Sequence, residues 1–117
     1  MENSGAAARA PAIELRFGHV TLAQVRLRTL EPHAIRAALG ARVASAPRFF
    51  DRTAVSLDLS ALASLPEPAE LRAAVDAVRS AGVLPIGLAH GATGIEALAD
   101  ALSLPVIRQF RDPSERR

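Results

Sequence analysis

The chain contains no cysteine, no lysine, no tryptophan and no tyrosine. Without cysteine there are no disulfides, no thiolate nucleophile and no cysteine-ligated zinc. Without lysine there is no P-loop of the usual kind and no Schiff-base chemistry. Aromatic residues make up only 3% of 117 residues while hydrophobic ones reach 50%, so the core must be built from Leu, Val, Ile and Ala. A chain of this length makes one domain that buries about 65–70% of its unfolded surface. No apolar run approaches the ~20 residues of a membrane helix. The opening MENSGAAARAPA places Glu2 where a signal peptide carries positive charge and has no sustained apolar stretch. Residues 1–11 therefore read as a disordered lead and the expected location is cytoplasmic, which the lack of cysteine suits. All fourteen basic residues are arginine, yet the formal net charge is only +2. The pI of about 10.9 reflects guanidinium pKa values and not a strong field. With no interleaved aromatics, nucleic acid is not an expected partner.

Along the chain, the segment IELRF (13–17) alternates, with Ile13, Leu15 and Phe17 on one face. Gly18-His19 suits a two-residue hairpin turn, and VTLAQVRLR (20–28) returns. Such a turn pairs Phe17 with Val20 and Leu15 with Leu22. Val25 and Leu27 then fall out of phase, so a bulge near Ala23-Gln24 is expected. Arg26 and Arg28 would join Arg16 and Thr21 on a basic outer face. Pro32 suits a first helical turn, with Ile35, Leu39 and Val43 as a buried stripe and Pro47 as the stop. TAVSLDL (53–59) reads as a central strand. A second helix starts near Pro68, buries Leu71, Val75 and Val78, and ends at Gly82. VLPIGL (83–88) is a strand whose Pro85 favours an edge or a bulge. Thr93 to Glu96 form a capping box for a third helix with Leu98 and Leu102 inward, and LPVIRQF (104–110) is a last strand. The fold class is α/β: a β-hairpin followed by alternating α and β elements, in a mixed sheet packed with helices.

Candidate chemistry is sparse. Asp58 and Ser60 end a strand, and His90 follows the next one, so the three could share the carboxyl rim of a parallel sheet. The plainer reading has Asp58 bonding the loop backbone and Ser60 making a turn. GLAHGATG fits neither nucleotide-binding glycine pattern, and turn formation and helix capping explain it. His19, His33 and His90 lack metal-ligand spacing. Glu67, Glu70 and Glu96 sit at helix starts, where the macrodipole stabilises them. No catalytic residue, cofactor or metal is expected. The basic hairpin face is the best binding surface, suited to an acidic protein partner. Its edge is open to pairing or strand exchange between chains, which leaves a weak homodimer and the oligomeric state open.

IELRFGHVTLAQVRL, EPHAIRAALGARVASAPRFF, VSLDLSAL and AVRSAGVLPIGLAHG with LADALSLPVI, in that order, resemble the amino-terminal domain of the MinC family. The resemblance implies a domain over residues 12–110 that inhibits cell division without catalysis. It would bind FtsZ, a tubulin-like GTPase, and shorten or weaken its filaments, blocking septum formation at wrong sites. Residues 111–117 would begin a linker to a carboxy-terminal β-helical domain that binds MinD, recruits the full-length protein to the membrane and is absent here; no direct membrane binding is implied. In this family a basic residue followed by glycine on the first hairpin contributes to FtsZ binding. Arg16 stands at the basic position, and Gly18 follows with Phe17 between. The partner-binding set expected is therefore Arg16, Phe17, Gly18, His19 and Thr21, extended by register to Arg26 and Arg28. The fold is also similar to STAS-type anti-sigma-factor antagonists, whose strand ends D-L-S, here residues 58–60. A STAS-like module switched by phosphorylation at Ser60 or Ser64 is thus the alternative. Where that family carries its Asp-Ser phosphoswitch, this chain reads Leu65-Pro66-Glu67-Pro68.

Overall fold

The computed structural model describes residues 10–89 and 93–108. The expected lead (apart from Ala10 and Pro11), the linker at 111–117, His90 and the last two residues of the strand expected over 104–110 lie outside the described residues.

Three strands form a parallel sheet in the order β1-β2-β3: β1 Ala23–Arg26, β2 Ala54–Asp58 and β3 Leu84–Ala89. Helices α1 (Pro32–Ser45) and α2 (Pro47–Phe50) connect the first two strands, and α3 (Pro68–Ser80) connects the second and third. Helix α4 (Ile95–Ala101) follows β3. Strand β2 is central, as its apolar content predicts, and Val55 to Asp58 are all buried. Leu27, Val55, Leu57 and Leu88 form one core with Ile35 of α1, Leu71, Val75 and Val78 of α3, and Ile95 and Leu98 of α4. Half-buried Ala23 and Val25 pack against it.

Helices α1 and α3 start where the sequence places them, while α2 was not anticipated. Pro32 opens α1, and the Glu31 carboxylate caps it by accepting the Ala34 N–H at 2.8 Å. The expected stripe on α1 is only partly covered: Ile35 is buried, whereas Leu39 and Val43 are half-buried. Pro47 ends α1 and then opens α2, since a proline that cannot continue a helix suits the start of the next. Pro68 opens α3, where the Glu70 carboxylate accepts the Glu67 N–H at 3.1 Å. Gly82 follows the cap residue Ala81 with φ +114°, the left-handed turn expected there. The capping box expected at Thr93 is not formed. Gly94 takes the cap position with no side-chain bond, and the Glu96 carboxylate accepts from Arg108 instead, at 2.9 Å.

Pro85 marks an irregularity in β3. Val55 pairs with Pro85 but Ser56 pairs with Gly87, so Ile86 is an extra, exposed residue. Beyond β3, the strand expected over 104–110 is reduced, among the described residues, to a single bridge between Leu88 and Val106. The Leu88 N–H donates to the Pro105 carbonyl at 2.9 Å, and the Ile107 N–H donates to the Leu88 carbonyl at 2.7 Å.

The expected hairpin over 13–28 is not formed. Residues 13–22 carry no strand, Gly18-His19 makes no turn, and Ala23-Gln24 lies within regular β1 without a bulge. Positive φ among described glycines occurs only at Gly82 and Gly94, so Gly18 lacks the backbone a type II′ turn requires. The sheet among the described residues is accordingly parallel and not mixed. The cause is phase. A two-residue turn needs Val20 and Leu22 facing inward with Leu15 and Phe17. Pairing with β2 instead turns Val25 and Leu27 inward, and successive side chains alternate, so one turn cannot serve both. Burial of Leu27 and coverage of Val25 in the main core decide the contest.

A Cβ at Gly87 would lie 2.7 Å from Ile107 Cδ1 and 3.0 Å from the Pro105 carbonyl oxygen. Glycine is what lets the 104–108 segment close on β3. Gly87→Val is expected to cost about 1–3 kcal/mol, read as a lower urea midpoint; an unchanged midpoint would show that the segment does not dock there.

Candidate functional site

The residues expected to bind a partner split into two groups. Arg16, Phe17, Gly18, His19 and Thr21 are all exposed on the strandless arm ahead of β1. The arm's apolar side chains face solvent: Ile13 is 76% exposed, Leu15 76%, Phe17 92% and Val20 85%. Nothing lies within 4 Å of a Cβ built on Gly18, so its surroundings place no steric demand for glycine. Arg26 and Arg28 belong to β1 and the residues after it, and both are exposed. The structure therefore does not gather these arginines on one rigid hairpin face.

Arg26 has a partner that the sequence reading missed. Its Nε donates to Asp58 Oδ2 at 2.8 Å, with the arginine side chain 47% exposed and the carboxylate at 0%. The other oxygen, Oδ1, accepts the Ser60 N–H at 2.9 Å. Burial pushes the Asp58 carboxyl upward, but hydrogen bonds from the Ser60 backbone and hydroxyl, together with the Arg26 guanidinium, outweigh it and hold the group below its ordinary value. Asp58 thus bonds the loop backbone, as its plainer reading proposed, and clamps β1 as well. The signal was present in the register, because Arg26 and Asp58 are direct partners at the ends of two parallel strands. Only the strand order was needed to read it. His90 lies outside the described residues, so nothing places it beside Asp58 and Ser60.

Beside β1 runs an open apolar cleft, which was not anticipated. One part, of ≈ 210 Å³, is bounded by Gln24, Val25, Phe50 and Val55. The adjoining part, of ≈ 270 Å³, is bounded by Leu27, Ile35 and Ala38 with Arg26 and Arg28 at its rim. Val25, Leu39 and Arg42 line both. This explains why Leu39 stays half-covered. Gln24 Nε2 is buried without a hydrogen-bond partner, an uncommon condition for a buried donor. Among the described residues no group of three or more His, Cys, Asp or Glu is arranged to hold a metal. Among the described residues no helix is long and apolar enough to cross a membrane.

Residues 13–85 match the family model of the septum formation inhibitor MinC, N-terminal domain. The chain belongs to the MinC amino-terminal domain family. It is 42% identical over 98 residues, 84% of its length, to a "Probable septum site-determining protein MinC" of Xanthomonas campestris pv. campestris. It is 39% identical over 104 residues, 89% of its length, to the protein of that name from Xylella fastidiosa. These stretches cover 39% and 44% of the relatives, so the chain spans less than half the length of the MinC proteins it matches. The match to the family model includes the exposed arm from Ile13 onward.

The Arg26–Asp58 clamp gives a signed pH dependence. A carboxyl whose folded pKa lies below its unfolded value, about 3.9, stabilises the fold above that pH. The stabilisation fades as pH falls through the folded pKa. Arg26→Met leaves a buried carboxylate with fewer donors and is expected to cost about 1–3 kcal/mol at neutral pH. It should also move the acid-unfolding midpoint upward. Urea melts at pH 7 and acid titrations by circular dichroism measure both, and identical profiles for the two proteins would remove the clamp.

Proposed function

We propose that this domain inhibits division by docking on FtsZ, destabilising or shortening its filaments, and that it carries out no bond-making chemistry. Family membership supports the reading, together with an arm on which Arg16 and Phe17 are both exposed. Exposed apolar side chains beside guanidinium groups suit a protein partner with an acidic rim, for which charge sets encounter rate and register. In this reading the contact set is Arg16, Phe17, Gly18, His19 and Thr21 on the arm. Arg28 and the half-exposed Arg26 guanidinium add charge at the foot of β1. The domain works in the cytoplasm, and recruitment to the membrane comes through MinD bound by a carboxy-terminal domain of the longer relatives.

The STAS-like reading of the fold rests on the Asp58-Leu59-Ser60 strand end over a parallel sheet. A phosphoserine switch has little to support it, since Pro66 and Pro68 stand in the loop where an Asp-Ser pair would be needed.

Sedimentation of FtsZ polymer with the domain provides the test. The domain is expected to co-pellet or to reduce the pelleted polymer, and Arg16→Glu to weaken this roughly tenfold, the equivalent of about 1.4 kcal/mol. Raising salt should weaken the wild-type effect as well. A domain that neither pellets with polymer nor shortens it would contradict the reading.

A further inference from the structure

Residues 104–108 cover the outer edge of β3 with little to hold them. Leu88 and Val106 form the single bridge among the described residues. Two backbone hydrogen bonds make up the ladder, from the Leu88 N–H to the Pro105 carbonyl and from the Ile107 N–H to the Leu88 carbonyl. The pairing stops there for local reasons. One step toward the start of β3 it would join Ile86 to Leu104, but Ile86 is the extra residue of the irregularity. The Leu104 N–H is already given to the Ala99 carbonyl of α4, at 2.9 Å. Pro105 has no N–H to add.

Side chains grip the edge from both faces. Val106 packs with Leu104 against the core, on the side of Leu88, while Ile107 points to the other face and rests over Gly87. None of the five residues is fully buried. The far end is tied by Arg108, whose guanidinium donates to the Glu96 carboxylate at 2.9 Å, the two side chains being 64% and 58% exposed. Exposed pairs of this kind hold weakly. At the near end Ser103 turns the chain with φ +57°, a left-handed backbone that side-chain-bearing residues seldom adopt. Release lets that turn relax.

We infer that residues 104–108 form a releasable clasp, hinged at Ser103, that opens while the rest of the sheet stays folded. The Glu96–Arg108 pair sets how often it is open. Segments that open separately have few buried contacts and solvent-facing hydrogen bonds, and the clasp has both features. The pairing of β2 with β3 does not depend on it, because β2 lies along the other edge of β3. Opening bares the Leu88 backbone groups and the apolar strip over Gly87, on the side of the sheet away from β1. That edge is therefore gated: an extended segment can pair with Leu88 only in the open state.

Residue-resolved amide exchange tests this on the unaltered chain first. After correction for intrinsic rates, the Leu88 and Ile107 amides are expected to exchange together and roughly ten times faster than those of Leu27 and Leu84. The latter two bond to the Asp58 and Thr53 carbonyls within the sheet. Arg108→Glu should speed Leu88 and Ile107 further, by about twofold to fivefold, and leave Leu27 and Leu84 unchanged. Adding Glu96→Arg to that chain should restore the original rates. Both positions are exposed, so neither substitution disturbs the core. One common rate for all four amides would overturn the inference. So would an Arg108→Glu chain in which Leu88 is not accelerated, or in which Leu84 is accelerated equally, or whose rates the charge swap fails to restore.

Discussion

Parallel pairing of β1 with β2, held at its end by Arg26 on the buried Asp58 carboxylate, is the constraint from which the rest of the site follows. It decides which side chains of β1 face the core, and therefore which face of any neighbouring strand must be apolar. It places β1 at the rim of the sheet, and it excludes the tight turn that the arm would otherwise adopt. The clamp is economical in burial terms, because only the carboxylate is withdrawn from water while the guanidinium stays half in solvent. A fully buried pair would carry a larger desolvation cost on both partners.

An apolar, solvent-exposed arm beside an uncapped strand edge is unusual for a chain that works alone. Sheet edges are commonly blunted by lysine, proline or a covering element, and here arginines stand at the cleft rim without closing it. The exposure is concentrated in one short stretch, which includes Arg16 and Phe17. The sheet and helices behind the arm serve as its fixed mount.

Most of the α/β frame was legible from local pattern. Pro32 and Pro68 fix helix starts and Pro47 a helix stop through their restricted backbone, Gly82 marks the end of α3, and the apolar run through Val55 and Leu57 marks the central strand. Pro85 announced the irregularity in β3 for the same reason. What local pattern did not reveal was the competition between elements. The hairpin at 13–28 suits its turn pair and the alternation of 13–17, yet its phase conflicts with the pairing of β1 and β2, a contact between residues thirty-two positions apart at the clamp. The capping box at Thr93 failed similarly, because Glu96 had a better partner in Arg108. The arginines were correctly seen as exposed, but their grouping assumed the hairpin. The cleft was invisible because it is an unfilled space between a strand and a helix.

The most direct measurement of the central claim is backbone amide hydrogen exchange over residues 13–28 in dilute solution. A β1 paired only with β2 predicts an arm that exchanges as an unprotected peptide, beside protected amides in β1. Protection of the arm that is already complete in dilute solution would mean that the chain closes its own hairpin, and would contradict the account.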